Sequence, residues 1–222
     1  MGRPSNRAER RRQIVRGLMQ VMGEHGYDGA STAAIADAAG LSPGLLHYHF
    51  ANKQAILLAL VEELAGRLRE RYARLLSEAT TPEARLRAFL TAHVAVGPGA
   101  DPEAIRCWVA IQAEATRRPE VRAVVQRAVS ERVDLLTELL GAWLDGQERG
   151  ASASQQAQAP TRPAEEELRA GAVGLLAAIE GYYLLSRSAP ETIPTGSAAQ
   201  TLQPMLDGLL LRWGAPGARG LT

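Results

Sequence analysis

Three small groups of residues are the first candidates for chemistry: His47 and His49 two residues apart, a solitary Cys107, and the run Glu165, Glu166, Glu167. Residues two apart on a helix point to different sides, and no third or fourth ligand lies near the histidines in sequence, so no metal site is expected there. A lone cysteine makes neither an internal disulfide nor a zinc site. It reads as a small core residue, with redox sensing as the alternative. The glutamates follow Pro163 at a helix start, where carboxylates complement the positive end of the helix dipole. No nucleophile elbow, phosphate loop or paired-carboxylate motif occurs, so neither enzyme activity nor a cofactor is expected.

Charge is informative only in its distribution. The net charge is +1, yet Arg3, Arg7, Arg10, Arg11, Arg12 and Arg16 face a single acid, Glu9, in the first sixteen residues. This is either a basic arm for a polyanion or the solvated start of a helix. Lys53 is the only lysine in the chain. The 222 residues allow one large domain or two small ones, and 46% hydrophobic content excludes collagen-like and disordered classes. No run approaches the ~20 uncharged apolar residues of a membrane span, and no apolar segment follows the arginines to serve as an export signal. The expectation is a cytoplasmic chain without a membrane partner.

The elements that must position these residues are all helical, because strand-length β-branched alternation is nearly absent. Ile14, Leu18, Val21 and Met22 mark a helix from about 7 to 25 that stops at Gly26. A short helix follows from a Ser31 cap to Ala39, with Ile35, Ala38 and Ala39 inward. Ser42 and Pro43 then start a second, since serine caps and proline suits the first helical position. Leu57 through Leu75 mark a long amphipathic helix, followed by helices at about 83–96, 103–117, 119–143, 164–187 and 197–213. Gly97-Pro98-Gly99 is a break, and Gly146 to Pro163, rich in Ala, Ser and Gln, reads as a mobile loop.

The two short helices joined by Gly40-Leu41-Ser42 form a helix-turn-helix, whose second helix is sized for a DNA major groove. The string IADAAGLSPGLLHYHFANKQAI, residues 35–56, resembles the DNA-binding signature of the TetR family of transcriptional repressors. Ile35, Ala36, Gly40, Ser42, Gly44, Leu46, His49, Phe50, Asn52 and Lys53 all fall on the family pattern. The detailed resemblance covers residues 8–60. Trp108 to Glu120 and Glu180-Gly181-Tyr182 are also similar to the effector domains of the branch containing choline-responsive repressors, though neither segment fixes a ligand. The resemblance implies an all-α chain: a three-helix DNA-binding domain at 1–53, then an effector-binding and dimerisation domain at 54–222.

On that reading Ser31 and Thr32 begin a bracing helix whose free amides suit a phosphate. Tyr48 and Lys53 match positions that touch the DNA backbone, and Ser42 can donate to it. Such contacts position without specifying. Pro43, Gly44, Leu45 and His47 face the bases and offer no Arg, Asn or Gln for a bidentate contact. Readout is therefore expected from Leu45 against thymine methyls, a hydrogen bond from His47, and DNA shape. The chain departs from the family at His47, where tyrosine is commonest, and at Ala33, where some members carry a base-reading arginine.

For an effector, Trp108 and Gln112 share one helix face, and Gln112 either orients a ligand or is satisfied by backbone. His93 could converge with them or be structural, and Tyr182 and Tyr183 are equally ambiguous, since at most one of that adjacent pair can face a given cavity. Few charges among these residues favour a hydrophobic or aromatic effector. The stripe on residues 121–143 and the small residues Ala170, Gly171, Gly174, Ala177 and Ala178 suit a four-helix homodimer interface, with intramolecular core packing explaining part of the same pattern; the resemblance implies the homodimer. The function implied is a ligand-responsive repressor that holds a pseudo-palindromic DNA operator as a homodimer and is released by effector. An orphan ligand- or protein-binding module without operator recognition is the alternative.

Overall fold

In the computed structural model, which describes residues 6–94, 101–150, 162–194 and 196–213, the regular elements are α-helices and one short 3-10 turn. They are α1 (Asn6–Gly29), α2 (Thr32–Ala38), α3 (Pro43–His49), α4 (Lys53–Leu76), α5 (Pro82–His93), α6 (Pro102–Ala115), α7 (Pro119–Gly150), α8 (Glu165–Ser188) and α9 (Ser197–Arg212), with the 3-10 turn at Pro190–Thr192. The chain divides into two compact units, residues 1–67 with 101–128, and residues 68–100 with 129–222. The Gly97-Pro98-Gly99 break, Arg3 and residues 151–161 of the expected loop lie outside the described residues.

The first unit is built on α1, whose Ile14, Val15, Leu18, Met19 and Met22 are buried at helical spacing. Helical geometry is interrupted at Gly26, which takes φ 69°, a left-handed backbone that glycine adopts without a Cβ penalty. Gly17 sets the contact with α2, because a Cβ there would stand 2.7 Å from the Ile35 carbonyl oxygen. Both short helices carry the expected caps. Ser31 Oγ accepts from the Ala34 amide at 3.1 Å and Ser42 Oγ from the Leu45 amide at 3.3 Å. Gly40, at φ 65°, makes the turn between them. Asn52 Oδ1 caps α4 by accepting from the Ala55 amide at 2.8 Å.

The second unit packs α5, α8 and α9 with the ends of α4 and α7 around Phe89, Leu136, Leu140, Ile179 and Leu206, each at most 1% exposed. Arg132 of α7 and Glu180 of α8 pair at 2.6 Å in a largely buried setting, and Arg87 of α5 reaches Asp207 of α9 at 2.9 Å. By length and composition α8 alone among the described helices would suffice to cross a membrane. Its Ala172, Leu175, Leu176 and Ile179 are instead buried in this unit.

The stripe on α7 serves the core packing weighed above: Val121, Val133, Leu136, Leu140 and Trp143 are buried within the chain itself. Among the described residues the large apolar side chains left exposed are Val173, Leu184 and Leu185 on α8, Met205 and Leu211 on α9, Leu58 on α4 and the Tyr48 ring on α3. One expectation changes: the long helix continues past Trp143 and through Gly146 to Gly150. A glycine costs a helix only about 1 kcal/mol relative to alanine, and the following Gln147, Glu148 and Arg149 are good helix formers. Gly171 has a role inside the unit, since a Cβ there would lie 2.6 Å from the Trp213 ring.

Gly17→Ala tests the close approach of α1 and α2. Overpacking against backbone should lower stability by about 1–3 kcal/mol, read by chemical denaturation with far-UV circular dichroism.

Candidate functional site

The α3 surface is divided sharply. Leu46 and His49 are buried, while Pro43, Gly44, His47 and Tyr48 are exposed and Leu45 is half-buried. Tyr48 is 73% exposed, its ring meeting only the His49 ring edge-on at 5.1 Å between centroids. Ser31 and Ser42 are exposed as well, and because their oxygens accept from the helix amides, their hydroxyl hydrogens stay available to an external acceptor. The two histidines face opposite ways, His47 outward and His49 inward, as the spacing requires. Among the described residues no group of three or more His, Cys, Asp or Glu is placed to hold a metal ion.

Behind this face two cations hold helix ends. Arg11 of α1 donates from Nη1 to the His49 carbonyl at 2.6 Å, and its guanidinium carbon lies 3.9 Å from the Phe50 ring centroid. Lys53 donates from Nζ to the Tyr27 carbonyl at 2.8 Å and sits 4.2 Å from the Tyr27 ring centroid. Burial lowers the Lys53 pKa from its ordinary value, with the neighbouring Asp28 charge opposing that shift. Lys53 is thus already partnered inside the protein, with two further N–H donors on the ammonium. Arg118, after α6, pairs with Asp28 at the end of α1 and with Glu114 at 3.2 Å, and lies 5.4 Å from the Tyr27 ring. Glu114, only 7% exposed, also pairs with Arg117 at 2.8 Å.

His49 is 7% exposed and its Nδ1 has no hydrogen-bond partner. Burial first, then the Arg7, Arg11 and Arg10 charges, hold its pKa below the ordinary value, so the neutral ring is favoured.

The expected effector residues are divided between the units. Trp108 and Gln112 stand on α6 in the first, Trp108 buried and Gln112 half-buried. Cys107 beside them is 1% exposed, and burial pushes its thiol up to about 12, so the unreactive protonated form prevails. His93 and Tyr182 belong to the second unit. His93 is 3% exposed, stacks on Phe89 with ring centroids 4.0 Å apart, and donates from Nδ1 to the Phe89 carbonyl at 2.7 Å. A carbonyl only accepts, so Nδ1 holds the proton and Nε2 is left as a buried acceptor with no partner in the chain. The neighbouring Tyr183, rather than Tyr182, is the buried tyrosine, and its hydroxyl donates to the His93 carbonyl at 2.8 Å. Tyr182 is half-buried, with its hydroxyl 3.4 Å from the Ser197 carbonyl.

Residues 14–60 match the family model described as bacterial regulatory proteins, tetR family. Over that segment the chain is similar to the TetR family. Among curated relatives it is 33% identical over 116 residues to the HTH-type transcriptional regulator BetI of Rhizobium meliloti, a match covering 52% of this chain and 57% of that protein. The chain thus spans little more than half the length of that relative. The fold is similar to that of the transcriptional regulator from Pseudomonas aeruginosa PAO1, with TM-score 0.73, 23% identity and coverage of 93% of this chain and 94% of that one. It is also similar to a transcriptional regulator from Saccharomonospora viridis in complex with choline, with TM-score 0.71, 20% identity and coverage of 90% and 96%.

The exposed residues of the helix-turn-helix were readable from local sequence, whereas the contacts of Arg11 with His49, Arg118 with Asp28 and Tyr183 with His93 were not. These partners lie 38 positions apart for Arg11 and 90 for Arg118 and Tyr183, and no local spacing reports such pairs.

The His93 environment gives a pH dependence with a definite sign. Burial lowers its pKa from 6.5 to about 3, so below pH 6.5 the unfolded chain binds a proton that the folded one does not. Stability from this residue is full above pH 6.5 and falls as the pH drops toward 3. Its share of the loss between pH 7 and pH 5 should be about 2 kcal/mol. His93→Gln should flatten the profile in that interval, measured by urea denaturation at each pH.

Proposed function

We propose that this protein is a ligand-responsive transcriptional regulator, acting chiefly as a repressor. Residues 1–53 bind a DNA operator, and residues 54–222 bind a small-molecule effector and form a homodimer. The observation that carries the reading is the exposed face of α3, from Pro43 and Gly44 to His47 and Tyr48, mounted on a helix whose other face is buried. Ser31, Thr32, Ser42 and Tyr48 meet phosphates, joined by the remaining donors of Lys53. Leu45 and His47 meet the bases. With no bidentate base reader on this face, affinity depends on phosphate contacts and DNA deformability, and so falls steeply with salt.

Dimerisation is assigned to α8 and α9. Ala170, Val173, Gly174 and Ala177 lie exposed along α8, and Met205, Gly208 and Leu211 along α9. Small residues let two such pairs approach closely, and the apolar ones would be withdrawn from water by the second copy. The preferred effector is hydrophobic or aromatic with a hydrogen-bond donor, a choice supported in the second unit by Phe89, Tyr183 and the unpartnered acceptor on His93. Release follows from linkage: effector weakens operator binding only by as much as it prefers the non-binding conformation, typically about 1–3 kcal/mol.

The test begins with DNA selected by the protein from a random-sequence library. Tyr48→Ala should weaken binding to the selected DNA about tenfold and leave thermal unfolding and the dimer unchanged, since the side chain packs against little of its own chain. Unaltered binding by this variant would remove α3 from the DNA interface and favour a module without operator recognition. Leu184→Arg should separate the dimer in sedimentation equilibrium while the chain stays folded.

A further inference from the structure

The arginines before residue 17 look interchangeable in the sequence, as one basic arm. Their structural settings differ. Arg7 and Arg16 are exposed, Arg12 pairs with Glu9 at 3.3 Å, and Arg10 donates to Gln13 at 2.8 Å. Arg11 makes its direct contacts outside α1. It reaches the last residue of α3, with the Nη1 contact to the His49 carbonyl at 2.6 Å. Its guanidinium also covers the ring of Phe50, which is 2% exposed.

The last carbonyls of any α-helix lack intrahelical partners and carry the negative end of the dipole. In a helix of seven residues those carbonyls are a large share of the total, and α3 has no further turn to anchor it. The Phe50 amide closes α3 by donating to the Leu46 carbonyl at 2.9 Å, and the Phe50 side chain is buried. A guanidinium is planar, so it can donate in its plane to His49 while its face rests on Phe50. One side chain therefore holds both the last carbonyl of α3 and the residue that terminates it.

We propose that Arg11 is a positioning residue for DNA recognition, fixing the C-terminal end of α3 against α1 and so setting how His47 and Tyr48 are presented, instead of touching a phosphate. The proposal rests on the DNA-binding reading of α3 for its consequence, but the tie itself concerns the free protein. Arg11 lies outside the segment that matches the family model, residues 14–60.

Hydrogen exchange of the free protein tests the tie. Arg11→Ala should speed exchange of the amides of Leu46 to Phe50 and leave those of Leu57 to Leu64 in α4 unchanged. If the α3 amides exchange as slowly as in the parent protein, the proposal is overturned whatever the DNA behaviour. Anisotropy titrations then test the consequence on library-selected and scrambled DNA across a salt series. Arg11→Ala should weaken the selected duplex about tenfold and the scrambled one less than about twofold, with an unchanged salt slope. Arg11→Gln, which keeps an N–H donor but no charge, should recover part of the loss and serves if the alanine variant does not fold. Equal losses on both duplexes, with a slope shallower by about 0.9 in both variants, would show a phosphate contact and overturn the proposal. A parent protein with no preference for the selected duplex would defeat the DNA-binding reading separately, leaving exchange to judge the tie.

Discussion

The presentation of a seven-residue helix is the constraint on which the rest of the molecule depends. Isolated helices shorter than about 12–15 residues are marginal in water, because nucleation fixes several residues for one hydrogen bond. Both α2 and α3 fall well below that length. Their order comes from outside: serine caps at each start, Gly40 between them, burial of Ile35, Ala36 and Leu46, and a guanidinium at the end of α3. A face with few strong base-reading groups makes this order matter more. Shape-dependent readout requires that the few contacts arrive at a fixed angle.

The same device recurs at the end of α1. There Lys53 occupies the Tyr27 carbonyl and ring, while Arg118 joins Asp28 to the buried Glu114. Each cation meets a carbonyl or carboxylate and an aromatic face together, which partly replaces the water lost on burial. The ends of α1 and α3 are thereby fixed by side chains from elements distant in sequence, and α6 is fastened to α1 in the same unit. Arginine suits this because its planar fork bonds in one direction and stacks in another.

Local rules made much of this legible in the sequence. Ser31, Ser42 with Pro43, and Gly40 announced the two short helices, and the apolar spacings in α1, α4 and α7 announced their buried faces. That the two histidines point to different sides followed from helix geometry alone. Pairing between distant residues did not follow, since an arginine in a basic run looks the same whether it meets solvent, phosphate or a carbonyl 38 residues away. The apolar stripe on α7 was visible but not its destination, because periodicity shows that a face is buried and not against what. Sequence likewise marked the tyrosine pair but not which member turns inward. That is Tyr183, directed to the His93 carbonyl.

The central claim is that α3 is held in place to recognise particular DNA. The most direct measurement is the ratio of affinities of the unaltered protein for library-selected and scrambled duplexes, followed by fluorescence anisotropy as salt is raised to the physiological range. Both affinities should fall with salt while the selected duplex keeps an advantage of about a thousandfold or more. Equal affinities that vanish together as salt rises would contradict the claim, leaving only the unspecific attraction of arginine for phosphate.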